Sequence, residues 1–233
     1  MENSSFKRYL NENFRPRYEK LLEMFSLYST LLERESKIHN LTALAPTEYD
    51  EKHFLDSLLL NEVFKFNDQS LIDIGTGAGF PGLVLAIAFP SLRVTLLEPT
   101  RKRCDFLALV VEALNLTNVV IVNKKAEDYV KVARGTFDIA TSRAVASLPI
   151  ILELSVPLVK INGNVIVMKG KQYQDELESA KRAIKLLHIE NTKTAIHYLE
   201  SDASVRINAV FKKMGETSLN YPRPYAQIKK NPL

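Results

Sequence analysis

A chain of 233 residues with 46% hydrophobic and 25% charged side chains is long enough for one full core with an appendage, and its lone Cys104 excludes an internal disulfide. With 31 Lys and Arg against 27 Asp and Glu the net charge is +4, which permits a polyanionic partner without demanding one. No apolar run reaches membrane-spanning length, the first residues carry no apolar signal core, and four scattered histidines offer no metal-ligand set, so a cytoplasmic protein with no membrane partner and no metal is expected.

From Arg17 to about Ser36 the residues Tyr18, Leu21, Leu22, Phe25, Tyr28, Leu31 and Leu32 recur at helical spacing behind Pro16, which predicts an amphipathic helix. A second helical pattern begins at Thr47 and runs through Phe54, Leu55, Leu58, Leu59 and Val63. Residues 1–68 therefore read as a helical cap packed onto a sheet domain. From Ser70 short apolar runs alternate with helical ones: strands are expected near 71–74, 93–98, 118–122, 136–141 and 163–168, and helices near 81–89, 100–114, 148–159 and 173–187. Two further extended runs, near 194–200 and 204–212, predict a closing hairpin. The fold class is thus α/β, a doubly wound, mostly parallel sheet over residues 69–214 with an antiparallel hairpin at one edge. The tail, residues 215–233, is basic and proline-containing, and an extended course is expected for it.

The stretch Leu71-Ile-Asp-Ile-Gly-Thr-Gly-Ala-Gly-Phe-Pro-Gly82 reads as a strand, a glycine-rich loop and the start of a helix at Pro81. Such a loop lets a ligand lie against the main chain, and the helix start leaves N–H groups beside it. Gly77, Gly79 and Gly82 satisfy the dinucleotide pattern, with Glu98 about twenty residues on as a ribose ligand, so an NAD(P)-binding oxidoreductase stands as one reading. Asp73, inside the strand two residues before Gly75, favours another, because a pyrophosphate is repelled by a carboxylate there whereas an ammonium group is held by it. A Gly-rich turn without ligand is the third.

The pattern D-x-G-x-G-x-G from Asp73 to Gly79 resembles the first motif of S-adenosylmethionine (SAM) methyltransferases, whose SAM carries that ammonium, and the closing hairpin resembles theirs. With Asn40-Leu-Thr42, His53-Phe-Leu-Asp-Ser57, Leu97-Glu-Pro-Thr-Arg-Lys-Arg103, Phe106-Leu107, Ser142-Arg-Ala-Val-Ala-Ser147 and Met168-Lys-Gly-Lys171, nearly the whole chain is similar to the bacterial 16S ribosomal RNA guanine-N7 methyltransferases, the glucose-inhibited division protein B family. It departs from them in having no tryptophan before Asn40, Glu98 where Asp is common, and a divergent tail. The resemblance implies a Rossmann-like SAM-methyltransferase fold and a cofactor site at Gly75, Phe80, Ala126, Glu127 and Arg143, to which the loop adds Asp73, Gly77 and Gly79. Glu98 is placed for both ribose hydroxyls, Ala126 and Glu127 for the adenine edge, and Arg143 for the cofactor's carboxylate or the ordering of a nearby loop.

Three cations, Arg101, Lys102 and Arg103, open a helix against its dipole, which points to phosphate contact. Lys169 and Lys171 follow the fifth strand near the expected entry of a target base, and His53 and Asn40 are placed at the mouth between cap and sheet. Cys104 sits in a helical pattern unsuited to a nucleophile, and no Asn/Asp-Pro-Pro-Tyr-like amine-methylating cluster follows the fourth strand, where Thr141-Ser-Arg-Ala144 stands. Guanine N7 needs neither device, so no general base and no catalytic residue is assigned, and alignment does the work. The expected partner is 16S ribosomal RNA in a small-subunit particle, at a loop, bulge or flipped base, with no DNA and a monomeric protein. A methyltransferase of small molecules or proteins, and an RNA-binding assembly factor without chemistry, remain as alternatives.

Overall fold

The computed structural model describes residues 4–233. Helix α1 (Ser5–Phe14) is opened by the Ser4 hydroxyl, which accepts from the Lys7 N–H, and buries Phe6 and Leu10. Its Phe6, Tyr9, Leu10 and Phe14 recur at helical spacing, and Tyr9 and Phe14 pack against the same core. A 3₁₀ turn at Arg15–Arg17 leads into α2 (Tyr18–His39), whose Leu21, Phe25, Tyr28, Leu31 and Leu32 are buried as their spacing predicts. At about 1.5–3 kcal/mol per fully buried large apolar side chain, this face anchors the cap.

The pattern expected as one helix from Thr47 to Val63 is instead a 3₁₀ turn (Pro46–Glu48), a π-helical turn (Asp50–Leu55), and two short helices, α3 (Asp56–Leu58) and α4 (Leu60–Val63). The wider π turn brings His53, Phe54, Leu55 and Asp56 in succession to buried positions.

The sheet comprises β1 (Ser70–Ile74), β2 (Arg93–Leu97), β3 (Val119–Val122), β4 (Phe137–Arg143), β5 (Val159–Lys169), β6 (Ile189–Tyr198) and β7 (Val205–Lys213), in the order β3-β2-β1-β4-β5-β7-β6. β1 to β5 run parallel, and β7 and β6 pair antiparallel as the expected hairpin. The helices are α5 (Gly82–Ala88), α6 (Arg101–Ala113), α7 (Ala126–Ala133), α8 (Leu148–Ser155), α9 (Tyr173–Ser179), α10 (Lys181–Leu186) and α11 (Tyr225–Lys230). Three expectations change. The helix expected to 159 ends in a 3₁₀ turn at Leu158 because Val159 already pairs with Phe137, the helix expected over 173–187 breaks at Ala180, and α7, eight residues long, lies where no helix was expected. β6 also begins earlier than expected.

One core joins the cap to α5, α6 and one sheet face, and a second fills the other face under α7 to α11. Across the first, the Arg17 guanidinium donates to the last carbonyls of α5, Ala88 O at 2.7 Å and Ile87 O at 3.0 Å. The tail is not extended throughout: α11 buries Ile228, and Leu233 is also buried, both in the second core. Among the described residues no helix is long and apolar enough to cross a membrane, and no group of three or more His, Cys, Asp or Glu is placed to hold a metal.

Candidate functional site

β1 ends at the carboxyl edge of the sheet, between β2 and β4, where strand order reverses and ligands of open α/β sheets bind. The loop beyond it is tied down by N–H groups of Gly75 and Thr76 donating to Leu97 O at 2.8 and 3.3 Å. Asp73 is fully buried, and its Oδ2 accepts from Thr76 Oγ1 at 2.6 Å and from the Gly82 N–H at 2.8 Å. Gly82 must lack a side chain, since a Cβ there would lie 2.7 Å from Asp73 Cβ. Burial pushes the Asp73 carboxyl up to about 6, against the pull of those two bonds.

Two expectations are corrected by this clamp. Asp73 is turned into the loop rather than exposed to a ligand, although its buried Oδ1, which has no partner, remains as an acceptor for an ammonium group or bridging water. At the start of α5 two of the donors expected to be free are taken: the Gly82 N–H goes to Asp73 and the Leu83 N–H to Gly79 O, and Pro81 precedes the first helical residue. Less of the helix start is therefore left for a pyrophosphate.

On the open side of the loop lies a slot of about 260 Å³, walled by Ile74, Gly75, Leu97, Ala126, Val145 and Leu154 and reached by Glu127 and Tyr225. The walls are mostly apolar carbon, suited to a flat neutral base. Ala126 and Glu127 are the first residues of α7, whose N–H groups have no carbonyl partner within the helix, and both line the slot. Gly77, at φ +61°, donates its N–H to Glu98 Oε2 at 3.0 Å, and a Cβ on it would find no atom nearer than 4.0 Å, so ligand can lie there. Glu98 is buried, its other oxygen accepting from the Thr100 N–H at 2.9 Å; it is no surface acid, and each oxygen keeps a further lone pair. Gly79 is closed in by Tyr28 and Leu83 and has a packing role.

Val145 packs on Gly75, and on its other side opens a cleft of about 660 Å³. One wall is a network centred on Arg143, which donates to Asp56 Oδ2 (3.1 Å), Lys52 O (3.0 Å) and His53 Nδ1 (2.8 Å) and lies over the Phe80 ring, 4.9 Å from its centroid. Because a guanidinium only donates, His53 Nδ1 is the acceptor and Nε2 carries the proton given to Thr42 Oγ1 at 2.8 Å. Burial and the adjacent Arg143 push His53 down to about 3, so it is neutral at pH 7. Its ring stacks on Phe80 at 4.1 Å, and Tyr28 stacks on Phe80 at 5.5 Å. Arg143 therefore ties cap to strand, and Phe80 is committed to the stack.

Asp56 is shared with Arg206 from β7, whose Nε lies 3.2 Å from its Oδ1. On the opposite wall Lys169 is already engaged, donating to Glu176 and to Ala146 O, each at 2.7 Å, while Lys171 is exposed. Asn40 ends α2 in the left-handed conformation, exposed and away from the lining of the cleft, and its neighbour Thr42 makes the contact to His53 instead. On α6, Arg101 is exposed and paired with Asp105 at 2.8 Å, Lys102 is exposed, and Arg103 lies 3.8 Å from Glu98. Cys104 is buried, with Sγ 3.2 Å from Glu98 O, as a packing residue would be. Lys52, Glu176, Arg206, Val145 and Tyr225 line the two cavities without having been singled out; only Val145, inside a quoted motif, carried a local signal.

Residues 21–203 match the family GidB, described as rRNA small subunit methyltransferase G. The chain is 42% identical to the ribosomal RNA small subunit methyltransferase G of Mycoplasma capricolum subsp. capricolum, with 97% of this chain and 98% of that protein covered, and 41% identical to that of Carboxydothermus hydrogenoformans, covering 91% and 92%. Among solved structures, a SAM-dependent methyltransferase from Aquifex aeolicus superposes with a TM-score of 0.56 at 16% identity over 76% of this chain and 97% of that one. M. jannaschii TYW2 in complex with AdoMet gives 0.56 at 16% identity over 69% and 75%. These two establish the likeness of fold.

Proposed function

The chain belongs to the GidB family, rRNA small subunit methyltransferase G, and from that premise we propose that it transfers the methyl group of SAM to N7 of one guanine in 16S ribosomal RNA. The observation that carries this reading is the pairing of two cavities across one residue: an apolar, base-sized slot and a wider cleft with four cations on its walls, Lys52, Arg143, Lys169 and Arg206, meet at Val145 on the ligand-binding edge of the sheet. When bound, SAM supplies an electrophilic methyl group. The residues that fit it are Gly75 and Gly77 under its body, Glu98 for the ribose hydroxyls, the N–H groups of Ala126 and Glu127 for the base edge, and Asp73 Oδ1 for the ammonium through water.

Guanine N7 carries a free lone pair, so no proton must leave before attack; holding the base at the cleft is the chain's contribution. The neutral His53, tied at both nitrogens, is a positioning residue rather than a base. A major-groove edge buried in A-form duplex cannot enter this cleft, so the guanine is presented from an unpaired or flipped position. We place the reaction on a small-subunit particle in the cytoplasm, performed by a monomer, without DNA or membrane. Purified protein with labelled SAM is expected to leave N7-methylguanine in 16S RNA from a strain lacking the enzyme; label elsewhere, or none on naked RNA and on particles alike, overturns the assignment.

A further inference from the structure

We propose that the carboxyl-terminal segment completes the cofactor site, with the Tyr225 ring covering the adenine end of SAM in the slot beside Leu97. This rests on the SAM reading above and extends it to a residue outside the five strand–helix units that carry the family's cofactor motifs.

The segment is fixed by charge and by burial. Arg223 forks onto the fully buried Glu153 of α8, with Nε 2.8 Å from Oε1 and Nη2 2.6 Å from Oε2, and its own N–H donates to Oε1 at 2.9 Å. Such a bidentate, charge-assisted contact sets direction as well as strength. Arg134 holds the Tyr221 carbonyl, and Ile228 is fully buried in the core beneath α8. Between these anchors Tyr225 is the first residue of α11, so its place is set from both sides.

The anchored ring is not itself used in the core. Tyr225 is 39% exposed, and it is the one aromatic side chain in the lining of the slot. Around it stand Leu97, Ala126 and Leu154, all buried and apolar, with the polar atoms confined to the α7 end. That is the chemistry of an adenine site: flat apolar walls, a polar edge, and an aromatic face for stacking. The other large rings near the loop, Phe80, His53 and Tyr28, stack on one another on the cap side and leave this role to Tyr225.

The chain has no tryptophan, so a Tyr225→Trp variant carries a single tryptophan, excited apart from the remaining tyrosines, at the proposed contact. Titration with S-adenosylhomocysteine is expected to change its emission and to saturate at the dissociation constant measured by calorimetry, adenosine is expected to compete, and methionine to leave emission unchanged. Tyr225→Ala should weaken S-adenosylhomocysteine binding about tenfold, as loss of a base-stacking ring does, without lowering the melting temperature of the free protein, while Tyr225→Phe keeps the affinity. Wild-type affinity in Tyr225→Ala, or emission blind to a ligand that calorimetry detects, overturns this inference alone. Absence of calorimetric binding by the unaltered chain overturns the cofactor reading and this inference together.

Discussion

The slot beside Leu97 is walled by main chain and apolar carbon, whereas the cleft beside Arg143 is walled by charges that already have partners. The slot is made by what is missing at Gly75 and by the two residues that open α7, so it suits a neutral, planar ligand without rearrangement. In the cleft Lys169 is held by Glu176, Lys52 by Glu48 and Asp202, and Arg143 and Arg206 share Asp56. Cations held in this way are kept in position when no RNA is present, and a phosphate has to compete for them. One site is therefore specific by shape and the other by prearranged charge.

Removing the centre of the second plan has the largest expected effect. Arg143→Met leaves the buried Asp56 to Arg206 alone and unties both His53 and the Lys52 carbonyl, and should cost about 3 kcal/mol in urea unfolding. RNA binding should fall with it while adenosine affinity stays; a variant as stable as the parent would break the contrast. Gly77→Asp attacks the first plan: a carboxylate beside Glu98, on a residue at φ +61°, should lower S-adenosylhomocysteine affinity more than about 100-fold, near 2.7 kcal/mol, with the fold retained. Unchanged calorimetric affinity would contradict the role of the loop.

Replacing Arg101, Lys102 and Arg103 together by Ser tests whether the basic surface extends beyond the cleft. Cofactor affinity should hold, RNA affinity at low salt should fall about tenfold, and the salt slope should shrink by about 2; filter binding across a salt series reads all of it. The last contrast is in pH, where two buried groups oppose each other. His53, lowered from 6.5 to about 3 in the folded chain, is more protonated when unfolded, so its contribution is complete above pH 6.5 and is lost as pH falls towards 3. Asp73, raised from 3.8 to about 6, runs oppositely, with stability present below pH 3.8 and lost as pH rises through 6. Between pH 4 and 6.5, His53→Gln should flatten the rise of the urea midpoint and Asp73→Asn should steepen it.

What could be read from the residues depends on how locally each feature is determined. The glycine loop, the alternation from Ser70 onward and the closing hairpin are written in runs of neighbours, and all three are present, with β6 beginning earlier than expected and α7 added. Helices α1 and α7 carry their period in only four apolar residues each, Phe6, Tyr9, Leu10 and Phe14 and Ala126, Tyr129, Val130 and Ala133. Tyr225 was hidden because Pro222, Pro224 and Pro232 mark a tail as extended, while the charge of Glu153 that folds it back lies 70 residues before Arg223. Arg206 was equally silent, one cation in a strand whose neighbour across the cleft is 150 residues earlier at Asp56. The orientation of Asp73 escaped for a different reason: whether a strand-end acid faces ligand or loop depends on the space left by Gly82, nine residues on.

Val145 belongs to the lining of both cavities and touches Gly75. A ligand on either side of it therefore sets the shape of the wall presented to the other. Thermodynamic reciprocity then fixes a rule for the reaction cycle: whatever factor RNA applies to the affinity for SAM, or for its demethylated product, each of those applies to RNA. A difference between those two factors decides whether RNA is held more firmly beside SAM or beside the spent cofactor, so that the ratio of SAM to product tunes how long the RNA is retained.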